Sequence, residues 1–373
     1  MRGSRRSFLT QAGVAAASVS LSSNGVAARP SPASPKLATQ EPCSEENFRR
    51  FARYGVTHIC GWYRIADAGR LHPTLDELKA VTGLAARHSL VVEMTDTAVG
   101  RGAHSALMLG GDGREREIEA FQETIRACAR AGIPSLKYYL SVLPILRLDK
   151  VPGRADTQYW HWNYALANSP EGEQRMSRAD QEELRYIRRN YRGFDADLFW
   201  ERVNYVLERV VPVANEHKVK IAQHPHDPGL GAAGIAGIPS ILGTVEGLKR
   251  FVSLHESPYH GLNFCQGTIC ENLDNPRAQL FDVIRWFGSR RKIFNVHFRN
   301  IRGHRGDFVA EVFPDDGDID MTAAVRTYRE VGYDGMLMPD HIPDLPGSQT
   351  QEKSEMFAFG YGYIRALIQA TES

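Results

Sequence analysis

After residue 35, short apolar runs rich in β-branched residues recur along the chain. They are Lys36–Gln40, Val56–Tyr63, Leu90–Thr95, Ser135–Val142, Lys220–Gln223, Leu262–Cys265, Ile293–Phe298 and Gly335–Met338. Segments with helical spacing separate most of them. Thr74 is suited to cap one that continues through Leu75, Leu78 and Val81, and others cover 114–131, 197–216, 244–256, 276–288 and 320–331. Residues 352–370 form a closing helix in this pattern. Strands alternating with helices predict an α/β fold with a parallel sheet. Eight such units predict a single closed (β/α)8 TIM barrel over residues 36–373. No Gly-x-Gly-x-x-Gly follows an early strand, which weighs against a dinucleotide-binding sheet. The stretch 144–196, rich in Arg, Trp and Tyr, is expected as a long excursion over the C-terminal face of the barrel.

The first residues do not belong to that pattern. Ser4-Arg5-Arg6-Ser7-Phe8-Leu9 precedes a weakly apolar run, Ala12 to Leu21, and small residues follow around Val26-Ala27-Ala28. A charged start, a short apolar middle and a small-residue exit describe a signal peptide over 1–28. The arginine pair followed by Phe-Leu is similar to a twin-arginine signal, which implies export to the periplasm. Residues 29–35 read as a linker. This changes the charge arithmetic. The whole chain of 373 residues carries 45 Lys+Arg against 44 Asp+Glu. Without 1–28, which hold Arg2, Arg5 and Arg6, the count is 42 against 44, a net −2. No basic excess remains for general nucleic-acid binding. No apolar run reaches the ~18 residues of a transmembrane helix, so no integral membrane segment is expected after cleavage. The five cysteines form neither a disulfide framework nor a zinc-ribbon pattern. A homo-oligomer is left open.

In a barrel of this kind the active site sits at the C-terminal strand ends. The fifth strand ends in Gln223-His224-Pro225-His226-Asp227-Pro228 and the sixth in Phe264-Cys265-Gln266-Gly267. The seventh ends in Val296-His297-Phe298-Arg299-Asn300 and the eighth in Met338-Pro339-Asp340-His341. Four consecutive strands thus deliver His224, Cys265, His297 and Asp340 to one end. Two imidazoles, a thiol and a carboxylate suit a divalent Mn, Fe, Co or Zn ion. Cys270 is an alternative thiol. Asp315-Asp316-Gly317-Asp318-Ile319-Asp320 lacks the Gly and Glu of a calcium loop and reads instead as an acidic helix start. Trp160-His161-Trp162-Asn163-Tyr164 could stack on a sugar or pack the excursion onto the barrel.

These strand ends, together with Gly317-Asp318-Ile319-Asp320-Met321, resemble in order and spacing the mannonate dehydratase family, with a xylose-isomerase-like barrel. The resemblance spans roughly 36–370 and is sharp between 220 and 345. It implies metal-dependent loss of water from a sugar acid, D-mannonate giving 2-keto-3-deoxy-D-gluconate. It implies that His224, Cys265, His297 and Asp340 bind a divalent metal, Mn2+ first and Fe2+ second, and that His341 acts as a catalytic acid/base. Arg299 is expected at the substrate, with Asn300 and His226 as further substrate contacts. The family has two acids where this chain has His226-Asp227. It also has a tyrosine after Pro-Gly where this chain has Pro346-Gly347-Ser348; the next tyrosines are Tyr361 and Tyr363.

The residue types fit that chemistry. A proton must leave the carbon beside a carboxylate, and a departing hydroxide must be protonated. Imidazole titrates near neutrality and can move a proton. A guanidinium can hold a carboxylate in a bidentate fork. Two other functions compete: a divalent-metal sugar isomerase or epimerase on the same barrel, and an exported protein that binds sugar or metal without turnover.

Overall fold

A computed structural model describes residues 34–61, 69–97, 99–343, 345 and 350–372, the last segment as backbone only at 350–352. The expected signal peptide, most of the linker and Pro346-Gly347-Ser348 lie outside the described residues.

Among the described residues twelve strands follow in chain order: β1 (Lys36–Thr39), β2 (His58–Gly61), β3 (Val91–Asp96), β4 (Ser135–Tyr138), β5 (Asp149–Pro152), β6 (Gln158–Asn163), β7 (Lys220–Gln223), β8 (His260–Cys265), β9 (Ile293–His297), β10 (Arg302–His304), β11 (Asp307–Ala310) and β12 (Met336–Met338). Eight of them close a parallel barrel in the order β1-β2-β3-β4-β7-β8-β9-β12, with Lys36 opposite Met336 at the closure. Each of the eight expected apolar runs supplies one of these strands. Alternation along each strand divides the side chains between two cores. Ala38, Cys60, Met94, Ala222, Phe294, Met336 and Met338 form a small apolar cluster of their own. The other faces join a much larger core between barrel and helices, built on residues such as Phe121, Phe251, Phe264 and Phe287.

Helix boundaries follow local chemistry. The Thr74 hydroxyl accepts from the Glu77 amide while the Glu77 carboxylate accepts from the Thr74 amide at 2.7 Å, so Leu75–Ala86 starts with a full capping box. Arg114–Ala131 stops at Gly132, whose φ of 76° is the left-handed conformation a helix end favours. Asp195 caps the 22-residue helix Ala196–His217. The helix after the acidic loop begins at Met321, with Asp320 as its cap and no acid in its first turn, so the loop is not the acidic helix start its sequence suggests. Its carboxylates instead tie the loop down: Asp315 accepts from Arg154, and Asp316 accepts from Tyr159 Oη at 2.6 Å and pairs with Arg302.

The excursion lies, as expected, at the C-terminal end of the barrel, where Ile145 and Trp160 join the strand-end residues around one cavity, and it has secondary structure of its own. It contributes β5 and β6 to a four-stranded antiparallel sheet, β10-β11-β6-β5, completed by the hairpin that follows β9. Phe308 pairs with Trp162 and Ala310 with Trp160. Pro170–Arg175 and Arg178–Asn190 complete the excursion as helices. Trp162 is buried in the core, which settles it as a packing residue.

Candidate functional site

The four late barrel strands bring their terminal side chains to one point. Ligand-competent atoms of His224, Cys265, His297 and Asp340 all lie within 4.8 Å of one another. His224 Nε2 is 3.3 Å from His297 Nδ1, His297 Nδ1 is 3.2 Å from Asp340 Oδ1, and Cys265 Sγ is 3.8 Å from Asp340 Oδ2. The outer atoms of the imidazoles are already engaged. His224 Nδ1 donates to the Pro225 carbonyl at 2.6 Å, and the Asn263 amide meets His297 Nε2 at 3.3 Å. One nitrogen of each ring therefore remains directed at the cluster, the arrangement of an oriented metal-binding imidazole.

Burial sets the protonation states. It drives His224 down to about 3, with neighbouring His297 adding repulsion, and lowers His297 as well. Both rings are neutral: His224 turns its Nε2 lone pair to the cluster, whereas His297, whose Nε2 accepts from the Asn263 amide, holds its proton on Nδ1 towards Asp340 and exchanges it for a cation on binding one. Burial also pushes the Cys265 thiol up to about 12. Burial opposes ionisation of Asp340 too, but His297, His341 and Arg299 outweigh it and hold the carboxyl well below its usual range. One carboxylate, two neutral imidazoles and a thiol that ionises on meeting a cation make a donor set that fits a divalent ion. Cys270 is fully buried and takes no part in the cluster.

The cluster borders a cavity of about 730 Å³ lined by His224, His297, Asp340 and His341, and facing them by Arg101, Lys137, Glu41, Glu311 and Trp160. The His341 side chain is 45% exposed, with Nε2 3.6 Å from Asp340 Oδ1. Lys137 donates to Gln40 Oε1 at 2.9 Å, and the Gln40 amide donates to Asp340 Oδ1, so a single side chain links the ammonium to the cluster.

Three expected substrate contacts do not line this cavity. Arg299 has a side chain 1% exposed and spends its Nη2 on Asp227 Oδ2 (3.0 Å), Thr268 Oγ1 (2.7 Å) and Glu271 Oε1 (2.9 Å). Its Nη1 is 3.6 Å from Asp340 Oδ2, which makes Arg299 a buried brace behind the cluster. Gly267 is required there, because a Cβ would strike the Arg299 side chain. His226 is buried against Tyr139 and Phe199, with Nε2 2.9 Å from the Leu140 carbonyl, and burial lowers it to about 4. It is a neutral packing histidine. Asn300 donates to the Pro314 and Ile319 carbonyls at 3.0 and 3.2 Å and accepts from the Ile301 and Ile319 amides at 2.9 and 3.0 Å. Its amide is fully used in closing the acidic loop. Tyr361 is also buried, hydrogen-bonded to Thr39 Oγ1 at 2.7 Å, and does not line the cavity.

Conversely, Gln40, Asp96 and Lys137 were missed. They stand at or just beyond the ends of β1, β3 and β4, so the strand-end rule that selected the late strands finds them too. Arg147 and Glu311 had no such signal, since they lie in connections outside the barrel strands.

Comparison with known proteins adds the family. The statistical description of one family, D-mannonate dehydratase (UxuA), matches residues 49–372. The mannonate dehydratase of Thermotoga petrophila is 28% identical over 339 residues, 85% of this chain and 91% of that one. The mannonate dehydratase of Geobacillus thermodenitrificans is 29% identical over 335 residues, 84% of this chain and 85% of that one. Among solved structures, the mannonate dehydratase of Streptococcus suis serotype 2 superposes with a TM-score of 0.76 at 22% identity, covering 91% of this chain and 94% of that one. A xylose isomerase domain protein of Planctomyces limnophilus shares the fold at a TM-score of 0.55 and 13% identity, over 91% and 99% of the two chains.

Proposed function

The chain belongs to the D-mannonate dehydratase family, and from that premise we propose that it is a hydro-lyase converting D-mannonate to 2-keto-3-deoxy-D-gluconate. The observation that carries this reading is the cluster of two imidazoles, a thiol and a carboxylate within 4.8 Å, beside a cavity that also holds His341.

His224, Cys265, His297 and Asp340 would hold a divalent ion, Mn2+ in our reading and Fe2+ as the alternative. When bound, the ion supplies Lewis-acid polarisation of the substrate's carboxylate end. The chain's own residues account for the rest. Of the cations that line the cavity, Arg101, Lys137 and Lys353, Lys137 lies close to Asp340 through Gln40, and it and Arg101 are the ones to which we assign attraction and orientation of the sugar acid's carboxylate. They take the role that the sequence suggested for Arg299. His341, half exposed on the cavity, takes or delivers the proton that the elimination moves. Trp160, on the cavity wall, offers an apolar ring face to the sugar chain.

The test is a screen of aldonic acids with Mn2+ for a 2-keto-3-deoxy product. Formation from D-mannonate supports the reading. A clean negative with isomerisation of neutral sugars would favour an isomerase or epimerase instead, a reading supported by Ser348 standing where the family has tyrosine. We further propose export by the twin-arginine route to the periplasm. Arg5-Arg6 ahead of an apolar run supports it, and Arg5→Lys with Arg6→Lys should leave the protein in the cytoplasmic fraction. No helix among the described residues is long and apolar enough to cross a membrane.

A further inference from the structure

The cavity's remaining carboxylates raise the question of what fixes His341. Its ring is 45% exposed, and two carboxylates approach it within 4 Å: Asp340, 3.6 Å from Nε2, and Glu311, 3.8 Å from Nδ1; Glu41 faces it from farther off across the same cavity. Asp340 belongs to the candidate metal cluster, so its oxygens are committed elsewhere. Of the two, Glu311 is the one that lies outside the cluster.

Glu311 is itself held unusually firmly. It follows β11 with a φ of 56°, a left-handed conformation that a residue with a Cβ adopts at a cost and keeps where its surroundings impose it. Its side chain is only 7% exposed although it lines the cavity. Arg147 Nη2 donates to Glu311 Oε1 at 2.6 Å, and the same oxygen is the one nearest His341. Arg147 Nη1 in turn donates to the Leu146 carbonyl at 3.0 Å and to Asp227 Oδ1 at 3.1 Å. Asp227 Oδ2 accepts from Arg299, and Arg299 Nη1 faces Asp340 Oδ2 at 3.6 Å. The six groups close a circuit: Asp340, Arg299, Asp227, Arg147, Glu311, His341 and back to Asp340. Every group in it but Arg147 and His341 is buried. The circuit therefore presents one clamped carboxylate oxygen to one half-exposed ring.

We infer that Glu311, clamped by Arg147, is a positioning residue for His341, aligning its imidazole over the cavity for proton transfer. A carboxylate at Nδ1 fixes the ring's orientation and leaves Nε2 as the nitrogen that faces the cluster. The 3.8 Å separation is a distance that substrate closes to a hydrogen bond, as such contacts commonly tighten in the bound complex. This inference rests on the reading of His341 as the proton-handling group, and its test separates the two.

Two variants of the full-length, Mn2+-loaded protein decide it. Glu311→Gln keeps the shape and removes the charge; Glu311→Gly removes the side chain and suits the left-handed backbone. In Glu311→Gln, kcat for D-mannonate should fall by about 10- to 100-fold, as for other groups that orient a working imidazole, while KM and metal content stay unchanged. In crystal structures, the His341 ring should leave its rotamer in Glu311→Gly and return to it on soaking with formate, which should also restore part of the lost kcat. An unmoved ring in Glu311→Gly, or a kcat equal to wild type, overturns the inference. So does loss of metal in both variants, which would make Glu311 a brace for the cluster. If the wild-type protein dehydrates no aldonate, the functional reading fails, and the position of the ring with and without formate still decides the role of Glu311.

Discussion

The interior of the barrel contains two regions built on opposite principles. One is the cluster of Ala38, Cys60, Met94, Ala222, Phe294, Met336 and Met338, whose own side chains are apolar apart from the Cys60 thiol. The other, beyond the strand ends, packs Cys265, His297, Asp340, Arg299, Asp227 and Glu271 into a comparably dry space, with His224 partly buried at its edge on the cavity. Removing apolar surface from water stabilises the first region directly. The second must neutralise every charge that it takes from water, and it does so by pairing. The same eight strands therefore carry stability at one level and chemistry at the next. Substitutions at the two levels should have separable consequences.

The sharpest separation is expected at His224. Burial keeps this ring neutral, so His224→Ala removes a lone pair and no charge. Bound metal and dehydratase activity should fall by at least about 100-fold, since even partners outside the ligand set commonly affect metal sites by 10- to 100-fold. The urea midpoint of the metal-stripped protein should hardly move. Elemental analysis and denaturation of one preparation check both halves, and retained metal would exclude His224 from the site.

Arg299→Met tests the pairing argument. The substitution leaves the carboxylates of Asp227 and Glu271 buried without their shared cation. The protein should lose about 3–5 kcal/mol of stability, the usual effect of breaking a buried ion pair on one side. A variant as stable as wild type, with a raised KM only, would return Arg299 to the substrate-binding role that its sequence context suggested.

Phe294→Ala is the counterpart in the apolar cluster. Loss of this ring should cost a similar or smaller amount, about 3–5 kcal/mol for a core Phe truncation, and leave metal stoichiometry at the wild-type value. If metal binding fell as steeply as stability, the two levels would not be independent.

The same contrast explains what the sequence made legible. Barrel strands announce themselves because their apolar runs are continuous and their helices amphipathic; all eight were found this way. The candidate metal cluster was legible because each ligand lies within two residues of the end of such a run. The antiparallel sheet was not, because β5 is a four-residue segment without a buried position, and β6, though aromatic, pairs with a strand more than 140 positions away. Nor could residue type alone distinguish an arginine aimed at substrate from one aimed at Asp227. Arg299 and Arg147 are arranged by long-range ion pairs, and His226 by a carbonyl in another strand's loop.

A smaller effect is expected on the cavity wall. Lys137→Met removes a cation without disturbing the buried pairs, and the lost charge-assisted hydrogen bond is worth about 1.5–3 kcal/mol. KM for D-mannonate should therefore rise roughly tenfold or more, with kcat less affected and stability unchanged. Equal KM values for wild type and variant would assign carboxylate recognition to Arg101.

The smallest effect lies in the pH dependence of stability, and it follows from Glu271. Burial pushes this carboxyl up to about 7, with Asp227 adding repulsion and Arg299 opposing both. The folded state therefore holds the Glu271 proton more tightly than the unfolded chain does, whose ordinary value is 4.5. A group raised in this way contributes stability that is present below pH 4.5 and is lost as pH climbs through about 7. Other groups impose their own slopes, so the comparison must be made against Glu271→Gln, which keeps the shape and cannot ionise. Between pH 5 and pH 8 the wild-type urea midpoint should fall relative to that of the variant. Parallel curves would mean that Arg299 holds Glu271 ionised across the whole range, and that charge pairing beneath the cluster is complete rather than contested between two carboxylates.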